Sequence, residues 1–330
     1  SLVALLLLLP LLWFVTEFST VWVQDPFVLY RSYLWGIALP GLLAIALTGF
    51  QPRVIYIFGI VVGTLLGALA IERNLSLSEE VVTWTDAAEK TNLQAPANAV
   101  GRSRPFLNLG AYYIRKGLID QAERNIATAV ALNDRGELGS GARFNSGVIL
   151  QLKKNHVEAL RSFDAAEALG YSQPGLYFHK AESLAALGQM EPALESFRVA
   201  LTQAEADPLQ RGVVPTIRIR LVETAMAAQR YDEAITGFKT LLQTNPNDPR
   251  LRLGLGMAMV GKGDNETAIQ VFDQLLLSHP GAPVYYGRAI AKYRMGQQKA
   301  SLSDLDRAIQ LDPKNPQYTQ MRAVISAGKK

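Results

Sequence analysis

The stretches PGLYFHKAESLAALGQMEPALESFRVALTQAEAD, residues 174–207, and PRLRLGLGMAMVGKGDNETAIQVFDQLLLSHPGA, residues 249–282, decide the fold. Laid over each other, they share a small residue at position 8 (Ala181, Gly256), Ala at 20 (Ala193, Ala268) and Phe at 24 (Phe197, Phe272). Outward from these two, the same landmarks return with a period near 34. Residues 103–136 supply Phe106, Gly110, Tyr113, Gly117, Ala122 and Ala129, and residues 140–173 supply Gly147, Ala159, Phe163 and Ala166. Residues 215–248 supply Tyr231, Ala234, Phe238 and Pro246, and residues 282–315 supply Tyr285, Ala289, Gly296, Ala308 and Pro313. A fixed period of this length marks a solenoid. Each unit reads as two antiparallel helices that small residues let approach closely, with an aromatic filling the gap and proline closing the second helix. One unit cannot bury its own apolar face, but a stack can.

This pattern resembles the tetratricopeptide (TPR) repeat, with six units over 103–315 and a capping helix and tail in 316–330. The extra residues 208–214 predict a longer loop between the third and fourth units. The resemblance implies that positions 2, 5, 9, 12 and 13 of each first helix line a groove for a protein partner. Those positions nominate Leu107, Arg115, Phe144, Phe178, Glu182, Met226, Met257, Tyr286, Tyr293 and Arg294, together with Ile219, Glu223, Leu253 and Ile290. Phe144, Phe178, Tyr286 and Tyr293 are the expected anchors, because aromatics give large contact area at small entropic cost. As surface residues, Phe144 and Phe178 are expected to tolerate Ala with melting nearly unchanged. Position 5 carries no basic residue, which disfavours capture of a C-terminal carboxylate.

Charge divides the chain. Residues 1–71 hold four charged side chains, Glu17, Asp25, Arg31 and Arg53, and the remaining 58 lie beyond them. The apolar stretches 1–16, 34–50 and 54–71 are expected to be three transmembrane helices. Gly59, Gly63 and Gly67 fall on one face of the third and predict a helix-packing surface. Between the first two lies an aromatic extramembrane loop, 17–33, where Tyr30 and Arg31 are candidates to contact a lipid phosphate. The chain starts on an apolar run without Met or a basic segment, so it is expected to be the C-terminal part of a longer membrane protein.

Residues 72–102 form a junction. Ser76 with Glu79 three residues later fits a capping box, which predicts a docking helix from Ser76 to about Lys90. Arg73-Asn74, Trp84 with Asp86, Lys90, Arg104-Pro105 and Asn108-Leu109-Gly110 resemble the junction of GT-C glycosyltransferases that carry a TPR region, the transmembrane-and-TPR O-mannosyltransferase type. The resemblance implies a bacterial inner membrane protein with its repeats in the periplasm, a lipid-linked sugar donor and a protein acceptor. It also implies catalytic acidic residues in a part that precedes this sequence, so Glu17 and Asp25 are not candidates.

No cysteine means no disulfide, thiolate metal site or cysteine nucleophile. His156, His179 and His279 lie in different repeats without metal-ligand spacing. No phosphate-binding glycine loop or nucleophile elbow is present, and there is no basic run suited to nucleic acid. The expectation is an all-α chain with membrane helices followed by a TPR solenoid. It has no cofactor, metal or self-contained active site, and its partners are protein and membrane lipid. A non-catalytic scaffold for an envelope complex is the alternative to a glycosyltransferase part.

Overall fold

The computed structural model describes residues 48–76, 79–95, 101–132 and 136–327. The expected span 1–16, residues 34–47 of the expected span 34–50, and the loop with Tyr30 and Arg31 lie outside the described residues. Every regular element among the described residues is helical, and the chain divides into two compact units, 1–134 and 135–330.

The first unit contains α1 (Pro52–Ser76), α2 (Glu80–Glu89), α3 (Arg104–Arg115) and α4 (Ile119–Leu132). Pro52 opens α1, where its fixed φ suits the first turn and its missing N–H costs nothing. With 25 residues, α1 is about 37 Å long, and among the described residues it is the one helix long and apolar enough to cross a bilayer. A Cβ added at Gly59, Gly63 or Gly67 would meet nothing within 4 Å, so the expected packing face has no partner among the described residues. The capping-box expectation at Ser76 is corrected: α1 runs on through Ser76, and α2 starts at Glu80 with Glu79 as its N-cap. The apolar helix carries the serine in its last turn, where it cannot open a new helix. α2 docks on α3, and Arg115 Nη2 donates to both carboxylate oxygens of Glu80 at 2.6 and 2.7 Å. Gly117 turns α3 into α4 at φ 72°, a conformation that favours glycine.

The second unit stacks five hairpins and a cap. The hairpins are α5 (Glu137–Leu152) with α6 (His156–Ala168), α7 (Pro174–Ala186) with α8 (Met190–Ala206), and α9 (Val214–Ala227) with α10 (Tyr231–Thr244). They continue with α11 (Pro249–Lys262) and α12 (Asn265–Ser278), then α13 (Ala282–Arg294) and α14 (Gln298–Leu311); the cap is α15 (Pro316–Ala327). The insertion expected as a loop folds into a 3-10 helix, Pro208–Val213, whose first turn is capped by the Asp207 carboxylate accepting from Leu209 N at 2.9 Å.

The repeat landmarks explain the packing. Phe163, Phe197 and Phe272 at position 24 are fully buried, facing the small residue at position 8 of their own first helix. Leu305 takes that slot in the last hairpin, as Ile126 does in the first unit. A Cβ on Gly256 would lie 2.5 Å from the Phe272 ring, so only glycine lets α11 and α12 close to this distance. In the α9–α10 hairpin Val222 occupies position 8, and Phe238 instead packs on Gly254 of the next first helix. Each buried Phe supplies about 2–3 kcal/mol of apolar transfer energy. α15 closes the stack by burying Tyr318 and Ile325 against α13 and α14.

Candidate partner-binding groove

The nominated groove residues divide into those the fold consumes and those it leaves open. Phe144 is half-buried and stacks on Tyr171 at 4.7 Å, with Phe163 and His179 beside it. Phe178 is half-buried and meets Phe197 edge-on at 5.7 Å. Each ring packs on the hairpin core, so Ala at either position is expected to lower stability. Met226, Met257, Leu253 and Ile290 pack partly buried against the largest core cluster, and Tyr286 tilts onto Tyr318 at 5.0 Å. Leu107 is half-buried on α3. Ile219 at 39% and Tyr293 at 37% remain exposed.

Ion pairs occupy several of the charged candidates. Arg115 is held by Glu80, and Glu182 accepts from Arg220 Nε at 2.5 Å while Glu223 takes the same guanidinium at 2.8 Å. Arg294 donates to the Val260 carbonyl and meets no carboxylate among the described residues. Arg250, at groove position 2, is exposed, and its guanidinium meets no carboxylate among the described residues.

A recess opens between α7, the 3-10 helix and α9. It has a volume of about 260 Å³ and is lined by Gly175, Phe178, His179, Gln210, Val213, Thr216 and Ile217. Gly175, Phe178 and Thr216 stand at groove positions 2, 5 and 2 of their units. His179 forms the polar wall. Its Nδ1 lies 2.7 Å from Gln151 Oε1, which fixes the proton on Nδ1, and Gln151 Nε2 donates back to the His179 carbonyl at 3.1 Å. Burial pushes the His179 pKa below its usual value, against an opposing pull from Glu182, so the ring is neutral near pH 7. Only Phe178 in this recess was singled out as a site residue from sequence.

The helices also sort by charge. In the second unit the first helices of the five hairpins carry ten Lys and Arg against three Asp and Glu. The second helices carry five against twelve. Much of this difference is spent at the junctions between hairpins. An acid at position 25 meets a base at position 7 of the next first helix in Asp164–Lys180 (2.7 Å), Asp273–Arg288 (2.6 Å) and Asp306–Arg322 (2.5 Å). Burial depresses the Lys180 pKa, but hydrogen bonds to Asp164 and Glu167 outweigh it, and the net direction is upward. Among the described residues no group of His, Asp or Glu side chains is arranged to hold a metal ion.

Comparison with known proteins agrees with this architecture. Tetratricopeptide repeat models match residues 107–174, 225–293 and 282–315. A segment of 92 residues is 30% identical to Protein CTR9 homolog of Arabidopsis thaliana, covering 27% of this chain and 8% of that protein. The chain therefore spans under a tenth of that relative's length. Among solved structures, pilF of Pseudomonas aeruginosa is similar at 15% identity and TM-score 0.48, covering 67% of this chain and 96% of the other. YrrB, a TPR protein with an unusual peptide-binding site, is similar at 18% identity and TM-score 0.38, covering 73% and 97%. The chain carries TPR repeats in an all-helical solenoid.

Proposed function

We propose that the repeats form a protein-binding module whose first-helix face holds an apolar partner segment with acidic flanks. The observation that carries this reading is what the fold leaves unspent on that face. Ile219 and Tyr293 stay exposed, and Arg250 and Arg294 have no carboxylate partner among the described residues. Exposed apolar side chains and unneutralised guanidinium groups on the same set of first helices suit a partner that brings its own apolar anchors and carboxylates. A photo-crosslinking residue at Ile219 is expected to trap a partner, and the same residue at Lys239 on α10 is not. Equal trapping at both positions would remove the groove from consideration. Ala at Ile219 and Tyr293 should weaken the partner's binding by roughly 1–2 kcal/mol each without lowering Tm.

The length and apolarity of α1 suit a membrane tether, and from the junction resemblance alone we infer the bacterial inner membrane with the repeats in the periplasm. Protease added to spheroplasts should then digest the repeats before the membrane is lysed; survival until lysis would put them on the other side. Such a module serves as a scaffold for a membrane or envelope complex. The junction residues support a second reading, the C-terminal part of a GT-C-like glycosyltransferase that presents its acceptor. Trp84 and Asp86 stand on α2 and Asn108-Leu109-Gly110 on α3, the two helices that pack together. Under that reading Arg31, with Tyr30, would contact the phosphate of a lipid-linked sugar donor, a task suited to a bidentate guanidinium.

A further inference from the structure

We propose that the recess under the 3-10 helix is the anchor site of the groove, taking one large apolar side chain of a partner segment with a carboxylate beside it. This rests on the reading of the first-helix face as a partner groove, and it names where specificity resides.

Three observations converge. The first is size and lining. At about 260 Å³ the recess falls below the roughly 300–1,000 Å³ of sites that enclose a small molecule, and it suits a single side chain. Phe178, Val213 and Ile217 make its apolar walls, and His179, Gln210 and Thr216 are its polar lining. The second is uncovered apolar surface on the elements that border it. Leu209 is 92% exposed, and Val213 and Ile219 are exposed as well. Leu209 and Val213 sit on an insertion that the other hairpins lack, so the 34-residue stack does not require them there.

The third is charge complementarity. Glu182 and Glu223 pair with Arg220 and Glu205 with Arg218, while Asp207 caps the 3-10 helix through the amide of Leu209 and keeps its own charge. Arg211 lies between the lining residues Gln210 and Val213, is exposed, and has no carboxylate partner among the described residues. Arg211 is therefore a cation whose guanidinium lacks a salt-bridge counter-charge among those residues. An Asp or Glu next to the inserted side chain would supply it, whereas a basic or neutral segment would not.

The absence of cysteine allows a direct test on the full chain in detergent. Gln210→Cys places a unique thiol at the mouth. It is equilibrated under limiting reductant with mixed-disulfide probes carrying a methyl, a benzyl, or a benzyl with an adjacent carboxylate, and occupancy is read by intact mass. The benzyl probe should exceed the methyl probe by about tenfold, the scale expected for burying a few extra carbons. The carboxylate should add a further few-fold. A thiol from Gln317→Cys, on exposed α15, should show neither preference.

Gly175→Leu fills the recess without breaking the fold, because a Cβ there meets only Phe144 Cζ, at 3.8 Å. It should abolish the benzyl preference while Tm holds. Arg211→Glu should remove the carboxylate preference alone. The proposal is overturned if benzyl does no better than methyl at Gln210→Cys, if the preference survives Gly175→Leu, or if the carboxylate weakens occupancy. The probes read the recess without any partner. Failure here with Ile219 still trapping a partner would discard the anchor site and keep the groove, and the reverse outcome would discard the groove.

Discussion

Asp304 is buried, with 7% of its side chain exposed, and it collects three donors: Arg288 Nε at 2.9 Å, Arg288 Nη2 at 2.6 Å and Lys292 Nζ at 2.8 Å. Two cations converge on one carboxylate, so Asp304→Ala leaves Lys292 without its partner and Arg288 with Asp273 alone in a half-buried site. A loss of about 3 kcal/mol is expected from the denaturant midpoint, against less than about 1 kcal/mol for a surface pair. Arg288→Ala should cost less, since Lys292 still neutralises Asp304. His179 sets a pH window. Its folded pKa lies below the ordinary 6.5, so the unfolded chain takes up the proton first as pH falls. The stabilisation is full above about pH 6.5 and is lost on acidification below it. His179→Gln should flatten the fall in Tm between pH 7 and 5; an unchanged slope would exclude the ring as its source. Lys180 lowers the Glu167 pKa through a side-chain hydrogen bond, so Glu167 acts in a separate window, below its usual 4.5. None of this was readable in the linear chain. The partners lie 12 to 28 residues apart, and their burial depends on how neighbouring helices meet.

At the scale of elements, helix pairs were legible because the small residue at 8 and the aromatic at 24 are a steric pair. Gly256 and Phe272 show the constraint most tightly. Gly256→Ala forces the Phe272 ring off its position and is expected to cost about 1–3 kcal/mol, whereas Gly175→Ala has room and should be neutral or stabilising. Equal effects on Tm would mean that close approach does not set the repeat geometry. The α1–α2 boundary was misread because Ser76 and Glu79 fit the capping spacing, and one more turn of α1 satisfied the same backbone. The 3-10 helix was visible only as seven surplus residues. Its conformation follows from Asp207 capping it and from two flanking helices whose separation no local pattern encodes. Phe144 occupies a groove position by number yet stacks on Tyr171, a contact that comes from the loop after α6. The 25-to-7 acid–base register was available in the sequence as Asp164–Lys180, Asp273–Arg288 and Asp306–Arg322, spaced 15 or 16 residues apart, but it carries no hydrophobic signal.

At the scale of the second unit, each hairpin touches mainly its neighbours, so stability is close to a sum of local terms. The cap α15 is then a nearest-neighbour term only. Tyr318 packs with Ala282 and Ala308, and Ile325 packs with Ala289 and Leu305. Gln298 Nε2 also donates to the Ile325 carbonyl, and Arg322 meets Asp306, so the cap repeats the junction chemistry of a further first helix. Its remaining surface exposes Gln317, Thr319, Gln320, Arg322 and Ala323, with Val324 as the one large apolar side chain among them. Deleting residues from 316 onward uncovers Leu305 and the Tyr286 ring. Amide exchange should then quicken by about a hundredfold or more in α13 and α14, as expected for losing two large buried side chains. In α5 to α8, three junctions away, it should change little. Uniform quickening through the whole unit would show that the stack melts as a single block, and the nearest-neighbour account of its stability would fail.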